Sequence, residues 1–351
     1  MGQNLRTGLA FLTEANARIG TGHLVETLKI AGGIGGPNTT IVVPRGAPEK
    51  LLAEAGIPVK LISDFSPSTL EMLARELGRN GTKWVVTNLR RVNNPQIHSL
   101  TTGGLGVICI DELGGRQLDC ARVINPSPVE EYHRYTSKYP GFRLYDGPAY
   151  MPLSPEYAQW NSSPRSYEGP VRCLVVAMGG VDRTGATLRI LNALRGWRPD
   201  IQRHVVLGAG FAWANELETL LKEAGEAWTL HHNLPGLAEL LGRADAGFTA
   251  GGNTLFEMAC VGTPALVLHE DPHEAAHGKI FSQAGFAHWL GNGQEFSAQT
   301  LKNALESLDD PRLRRRCGET GRKLVDGKGL ERISRIIQET ISVDSAIATS
   351  S

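Results

Sequence analysis

Residues 246–259 read AGFTAGGNTLFEMA. A short strand-like run, Ala246–Thr249, enters Gly251 and Gly252, and a helical segment spanning Thr254–Val261 follows at once. A strand that passes through a glycine pair into a helix is the βα junction of a parallel sheet. Glycine lets a backbone approach a ligand closely and adopt positive φ. The helix start beyond it offers free N–H groups and the positive end of the helix dipole, which suits a phosphate. Asn253 or Thr254 can cap that helix while presenting polar groups. Glu257 lies three residues after Thr254, about one turn along and near the same side. A carboxylate there can accept hydrogen bonds from two vicinal hydroxyls, such as those of a ribose. Thr-x-x-Glu also spells a capping box, in which the two side chains bond each other's backbone N–H groups, and spacing alone favours the box.

The same grammar extends in both directions. In the second half of the chain, strands are predicted at Arg172–Ala177, Arg203–Leu207, Ala227–Leu230 and Ala265–Leu268. Helices are predicted at Ala186–Leu194, Ala214–Ala224 and His273–Ala284, and three more close the chain near Ile341. In the first half, Leu9–Leu12, Thr40–Val43, Trp84–Thr87 and Gly106–Ile110 read as strands, with helices at His23–Ala31, Pro48–Ala55 and Ser68–Leu77. These strands are continuous apolar runs, as expected when helices cover both faces of a parallel sheet. The alternation breaks near residue 125. The stretch Asn125–Pro170 is rich in Pro, Ser, Tyr and Gly and reads as the end of one domain plus a linker. The expected division is therefore a first domain over 1–165, a second over 166–341, and a small, polar tail over 342–351 that frays. Two α/β domains imply a cleft, with ligands at the carboxyl ends of the strands.

Three further strand-end loops carry candidate chemistry. Gly20-Thr21-Gly22-His23 sets a histidine at the mouth of a helix, where the dipole favours the neutral base, although a turn whose histidine merely caps the helix fits equally. Gly179 and Gly180 follow the apolar run ending at Ala177 and form either a ligand loop or a tight βα turn. His269–His277 holds three histidines and three acids, and His273-Glu274-Ala275-Ala276-His277 spells HExxH. That motif binds zinc in the middle of an amphipathic helix with a third ligand downstream. Here it opens a helix directly after a strand, so a polar loop lining the cleft is the better reading and no metal is expected. His231, His232, Asn233 and Leu234 either line a base pocket or form an ordinary loop. RLRRRCGETGRK at 312–323 reads as a solvated helix face.

Composition excludes several classes. Across 351 residues, 36 Lys and Arg balance 36 Asp and Glu, which leaves no electrostatic footprint for nucleic acid. No apolar run approaches the ~18 residues of a membrane span. The N-terminal residues lack a signal-peptide pattern, which points to the cytoplasm. The five cysteines are widely spaced with no CxxC pair, which fits a reducing compartment without structural zinc. Neither a Walker loop nor a GxSxG elbow occurs.

Together the loops resemble one family. ARIGTGHLVETLKIA (17–31) is similar to the glycine–histidine signature of the PseG family, the UDP-sugar hydrolases of pseudaminic acid biosynthesis. MGGVDRTGATLRILNAL (178–194), VVLGAGF (205–211), AGGNTLFEMACVGTPALVL (250–268) and GRKLVDGKGLERI (321–333) resemble its second-domain landmarks in order, and GPAYMPLSPEY (147–157) its interdomain segment. The resemblance covers most of residues 8–335. It implies a GT-B fold, shared with MurG-like glycosyltransferases, in which two Rossmann-like domains face each other across a cleft. It also implies a UDP-sugar substrate and no cofactor or metal. The Gly251–Thr254 loop would meet the diphosphate, Glu257 the ribose, and the loop at Asn233 and Leu234 the base. His23 would match the base that activates water for inverting hydrolysis. Two places depart from the family pattern. Thr87-Asn88-Leu89 stands where an Asp-His-Tyr-like stretch is usual, and His273-Glu274 where an Asn-Gln pair is usual. Both lie on the sugar side of the family's site. Transfer to a sugar hydroxyl, with His23 as the base, and nucleotide-sugar binding without turnover therefore stay open beside hydrolysis.

Overall fold

The computed structural model describes residues 8–15, 21–35, 38–224, 228–232, 234 and 236–348. The chain forms two compact units. The first comprises residues 1–154 and 328–351, the second residues 155–327.

The first unit carries strands β1 (Gly8–Thr13), β2 (Thr39–Pro44), β3 (Val59–Ile62), β4 (Thr82–Asn88), β5 (Gly106–Ile110), β6 (Arg122–Asn125) and β7 (Arg143–Asp146). They form one sheet in the order β3-β2-β1-β4-β5-β6-β7, parallel throughout. Its helices are α1 (Gly22–Ile34), α2 (Glu49–Glu54), α3 (Pro67–Arg79) and α4 (Asn94–Thr102). All six residues of β1 are buried, because side chains alternate between two covered faces. Leu9 and Phe11 pack with Leu24 and Ile30 of α1, whereas Ala10 and Leu12 pack with Leu70 and Leu73 of α3.

The second unit begins with α5 (Pro155–Ser162). It continues through β8 (Cys173–Ala177), α6 (Ala186–Ala193), β9 (Gln202–Leu207), α7 (Ala214–Ala224), β10 (Trp228–His232), α8 (Ala238–Arg243) and β11 (Ala246–Thr249). Next come α9 (Asn253–Val261), β12 (Ala265–His269), α10 (Pro272–Gln283), β13 (Ala287–Asn292), α11 (Ala298–Ser307) and α12 (Pro311–Leu324). Its six strands run β10-β9-β8-β11-β12-β13, again all parallel. The last helix, α13 (Gly329–Ala348), returns to the first unit.

Four features differ from the sequence pattern. Residues 122–146 supply β6 and β7, so the first sheet runs on into the stretch read as domain end plus linker; Val123 and Ile124 extend its two opposite buried faces beside β5. The units divide at 154/155 and 327/328, with α13 in the first. Ile333, Ile336, Ile337 and Ile341 join the core of α1 and β1, and Gly33 leaves room for Leu330 and Ser334. Helix also continues through Ala348 where fraying is expected from residue 342. On α12 the solvated-face reading fails at two arginines. Arg314 is fully buried and donates to the carbonyls of Leu308 and Gly169. Arg322 donates to those of Ser163, Trp160 and Val261.

Candidate functional site

In each sheet the strand order reverses beside the strand that comes first in sequence: between β1 and β4, and between β8 and β11. Open α/β sheets bind ligands in the crevice at the carboxyl ends of those strands. Several of the described candidate residues lie at these two places, whereas Leu234 follows the edge strand β10.

At the first, Thr13 pairs with Asn88 across β1 and β4. Both lie two residues beyond core positions that face α1, Phe11 and Val86, so they turn toward α1 as well. Asn88 is 2% exposed. Its Nδ2 donates to the carbonyl of His23 at 3.2 Å, to Glu26 Oε2 at 3.3 Å and to Thr27 Oγ1 at 3.2 Å. Its Oδ1 lies 3.1 Å from His23 Nδ1. His23 itself is half-buried in the first turn of α1. The surroundings are acidic. Glu26 is buried, and Glu112, just beyond β5, is pushed up to about 7 by burial and then by the charge of Glu26. Asp111 adds to that shift, while His23 and Arg90 oppose it. Asp111 is itself held by Arg116, Tyr135 and the N–H of Gly114. The buried hydroxyls of Thr13 and Thr87 close the same two strands with no hydrogen-bond partner among the described residues.

Of the predicted residues here, Gly20 lies outside the described residues. Thr21 is the N-cap of α1 without a side-chain capping bond, and Gly22 is the exposed first helical residue. Glu26 and Glu112 are candidate residues that motif reading does not reach, and Asn88 enters it only within the Thr87-Asn88-Leu89 departure, without a role. One signal for Asn88 is present, an amide closing the apolar run WVVTN, where a buried polar group needs partners.

At the second reversal, Gly251 has φ +110°, and a Cβ there would lie 2.7 Å from the carbonyl oxygen of Glu274. Its own carbonyl accepts from Nδ1 of the buried His277 at 3.2 Å. Burial, then the neighbouring His273, pushes the His277 pKa down to about 3, and the two rings lie 4.1 Å apart. Asp271 and Glu274 form the capping box of α10. Glu274 Oε2 accepts from the N–H groups of Glu270 at 2.8 Å and Asp271 at 3.3 Å, and Asp271 Oδ1 accepts from Glu274 N at 3.0 Å. Burial pushes the Glu274 carboxyl up to about 7. HExxH is therefore the cap and brace of a loop, and the described residues hold no cluster of three metal-ligating side chains.

The capping box expected at Thr254 and Glu257 does not form. Helix α9 begins one residue earlier, with Gly252 as its N-cap and no side-chain capping bond, so Thr254 already sits inside the first turn. Glu257 is half-buried beside Tyr157 of α5. Burial, then the Glu257 charge, raises the pKa of this hydroxyl far above its ordinary value and keeps it protonated.

The loop after β8 has a divided role. A Cβ on Gly179 (φ +92°) would meet open space. A Cβ on Gly180 would meet open space too, but its backbone lies against the loop after β9, where Gly210 N donates to its carbonyl at 2.9 Å and a Cβ on Gly208 would lie 2.4 Å from its Cα. Glu270 ties this loop to α10 by accepting from the N–H groups of Thr184 at 3.0 Å and Arg183 at 3.2 Å. Asn233 lies outside the described residues, Leu234 is exposed, and His231 is engaged with His204 at 3.0 Å. The cysteines are free, and none of the described helices is long and apolar enough to cross a membrane.

No family model matches the chain. It is 31% identical over 200 residues to the spore coat polysaccharide biosynthesis protein SpsG of Bacillus subtilis, a match covering 56% of this chain and 58% of that protein. The chain thus aligns with little more than half the length of this relative. Among solved structures it resembles MurG of Acinetobacter baumannii, with a TM-score of 0.68 at 13% identity over 95% of this chain and 99% of that one. It also resembles MnaA of S. aureus, solved with UDP, with a TM-score of 0.64 at 14% identity over 96% and 97% of the two chains. With two parallel α/β units in Rossmann strand order and these structural neighbours, the chain has the GT-B fold.

Proposed function

We propose that the chain is an inverting nucleotide-sugar hydrolase that releases free sugar and UDP in surface-polysaccharide or nonulosonic-acid synthesis. The observation that carries this reading is the His23–Asn88 pair at the strand reversal of the first sheet. It supplies a half-buried imidazole on a buried scaffold, as a general base requires. In the proposed reaction, a water O–H bond breaks and its proton passes to His23. The water oxygen forms the new bond to the anomeric carbon from the face opposite UDP. The old bond from that carbon to the diphosphate oxygen breaks, and its electron pair leaves with UDP. The uncapped start of α9 at Gly251–Thr254 stabilises the departing charge, and Glu257 takes the ribose hydroxyls. The likeness to SpsG, a polysaccharide biosynthesis protein, supports the pathway class, and the MnaA–UDP likeness supports the nucleotide.

Leu89 supports a second reading. It is 4% exposed and stands where the PseG pattern has an aromatic residue near the sugar, so the sugar side departs from that pattern. Transfer to a hydroxyl acceptor, with the same base, fits that difference. A panel of UDP-sugar donors, each incubated with and without sugar acceptors and followed for UDP release, separates the two readings. Hydrolysis predicts stoichiometric UDP and free sugar without an acceptor. Release that depends on acceptor would replace it with transfer.

A further inference from the structure

The Asn88 amide has only one orientation that satisfies its neighbours. An amide oxygen and nitrogen are told apart by what they face. One end of this amide faces the backbone carbonyl of His23, which can only accept, and the Glu26 carboxylate at 3.2 and 3.3 Å. That end must be the nitrogen. The other end, 3.1 Å from His23 Nδ1, is then the oxygen, which can only accept. It follows that Nδ1 carries a proton, so that in the neutral ring Nε2 carries the lone pair. This is the minor tautomer of free histidine, so a partner must hold it.

We propose that Asn88 is a positioning residue, held by acceptors on α1, that fixes His23 as the Nδ1–H tautomer and presents Nε2 as its proton-accepting atom. Glu26, bonded to the same amide, is the carboxylate that balances the imidazolium formed when Nε2 takes a proton. The amide passes no proton itself. It keeps its bond to Nδ1–H before and after the transfer, so the base is oriented without reorganisation. Among the described residues, Glu26 on α1, Asp111 beyond β5 and Arg90 beyond β4 act with His23 on Glu112, and Glu14 beyond β1 accepts from Arg90 N. Because Glu112 titrates near neutrality, its variant Glu112→Gln is the background in which the pH dependence is read.

The catalytic part of this proposal rests on the hydrolase reading, whereas the tautomer does not. Long-range ¹H–¹⁵N NMR of the full chain labelled at histidine, assigned with His23→Gln, reads the tautomer without any substrate. The expected result is protonated Nδ1 and bare Nε2 in the parent, with reversion toward Nε2–H in Asn88→Ala. An Nε2–H tautomer in the parent overturns the proposal even if UDP is released, and an Nδ1–H tautomer stands even if no donor turns over. Should Asn88→Ala fail to fold, Asn88→Asp and Glu26→Gln give a test of opposite sign. Asn88→Asp adds charge beside Nδ1 and should move the acid limb of kcat/KM up by about one pH unit, whereas Glu26→Gln should move it down, with KM little changed. Shifts of the same sign, or changes in amplitude alone, reduce Asn88 to a structural residue.

Discussion

The two strand reversals share a topology and differ in material. At β1 and β4 the crevice is lined by side chains that can take or give a proton, namely His23, Glu26 and Glu112, with the Asn88 amide holding His23 in place. At β8 and β11 it is lined by backbone, with Gly251 and Gly252 opening α9 and the buried His277 bracing the loop from behind. Under the proposed function, the first place serves chemistry on a proton and the second grips a charged group. If this division holds, substitutions at the first place should change rate and those at the second should change affinity.

His23→Ala is the largest expected effect. Loss of a general base should slow UDP release about 100- to 10,000-fold, while UDP binding measured by calorimetry stays within a factor of about two. Equal loss of both would erase the distinction between the two places. Gly251→Ala comes next. A Cβ at φ +110° would meet the Glu274 carbonyl, and strain of about 1–3 kcal/mol should weaken UDP binding about tenfold or more and lower Tm. An unchanged Kd would remove the glycine loop from the nucleotide site. Glu257→Gln should cost less. Exchanging a charged acceptor for a neutral one should weaken UDP binding by about 1 kcal/mol, roughly fivefold, with kcat nearly unchanged.

The last effect is one of pH, and it is read on stability rather than on rate or affinity. The His277 pKa is lowered from 6.5 to about 3 in the fold, so the unfolded chain binds the extra proton first. The stability that this residue contributes is complete above pH 6.5 and falls by about 1.4 kcal/mol per pH unit between 6.5 and 3. Glu274 acts with opposite sign. Its pKa is raised to about 7, so its contribution is complete below its ordinary range near 4.5 and is lost as pH rises through 7. Thermal melts of His277→Gln should lose the first slope and keep the second. A parent-like slope between pH 6.5 and 5 would show that another group sets it.

How much of this was legible follows from which interactions are local. The buried strands of both sheets are apolar runs, and the Gly251–Gly252 junction is readable because a βα turn writes its needs within a few residues. β6 and β7 hide among Pro and Tyr because they are short and complete a face built elsewhere. Assigning α13 to the first unit depends on isoleucines meeting residues some 300 positions earlier, which no local period encodes. The Thr254–Glu257 spacing suggested a cap, but the helix starts at Asn253, and a shift of one residue dissolves the box. The position of Asn88 is readable as a departure from the PseG pattern, but its bonds to α1 are not, because those partners lie 61 to 65 residues away.

The central claim is attack by water on the anomeric carbon, with His23 taking the proton. Its most direct test is turnover of a UDP-sugar donor in H₂¹⁸O without acceptor, with the product anomer read by NMR during the first turnovers and the label located by mass spectrometry. The account predicts the inverted anomer, ¹⁸O in the sugar and none in UDP. A retained anomer, or label in UDP, would contradict it.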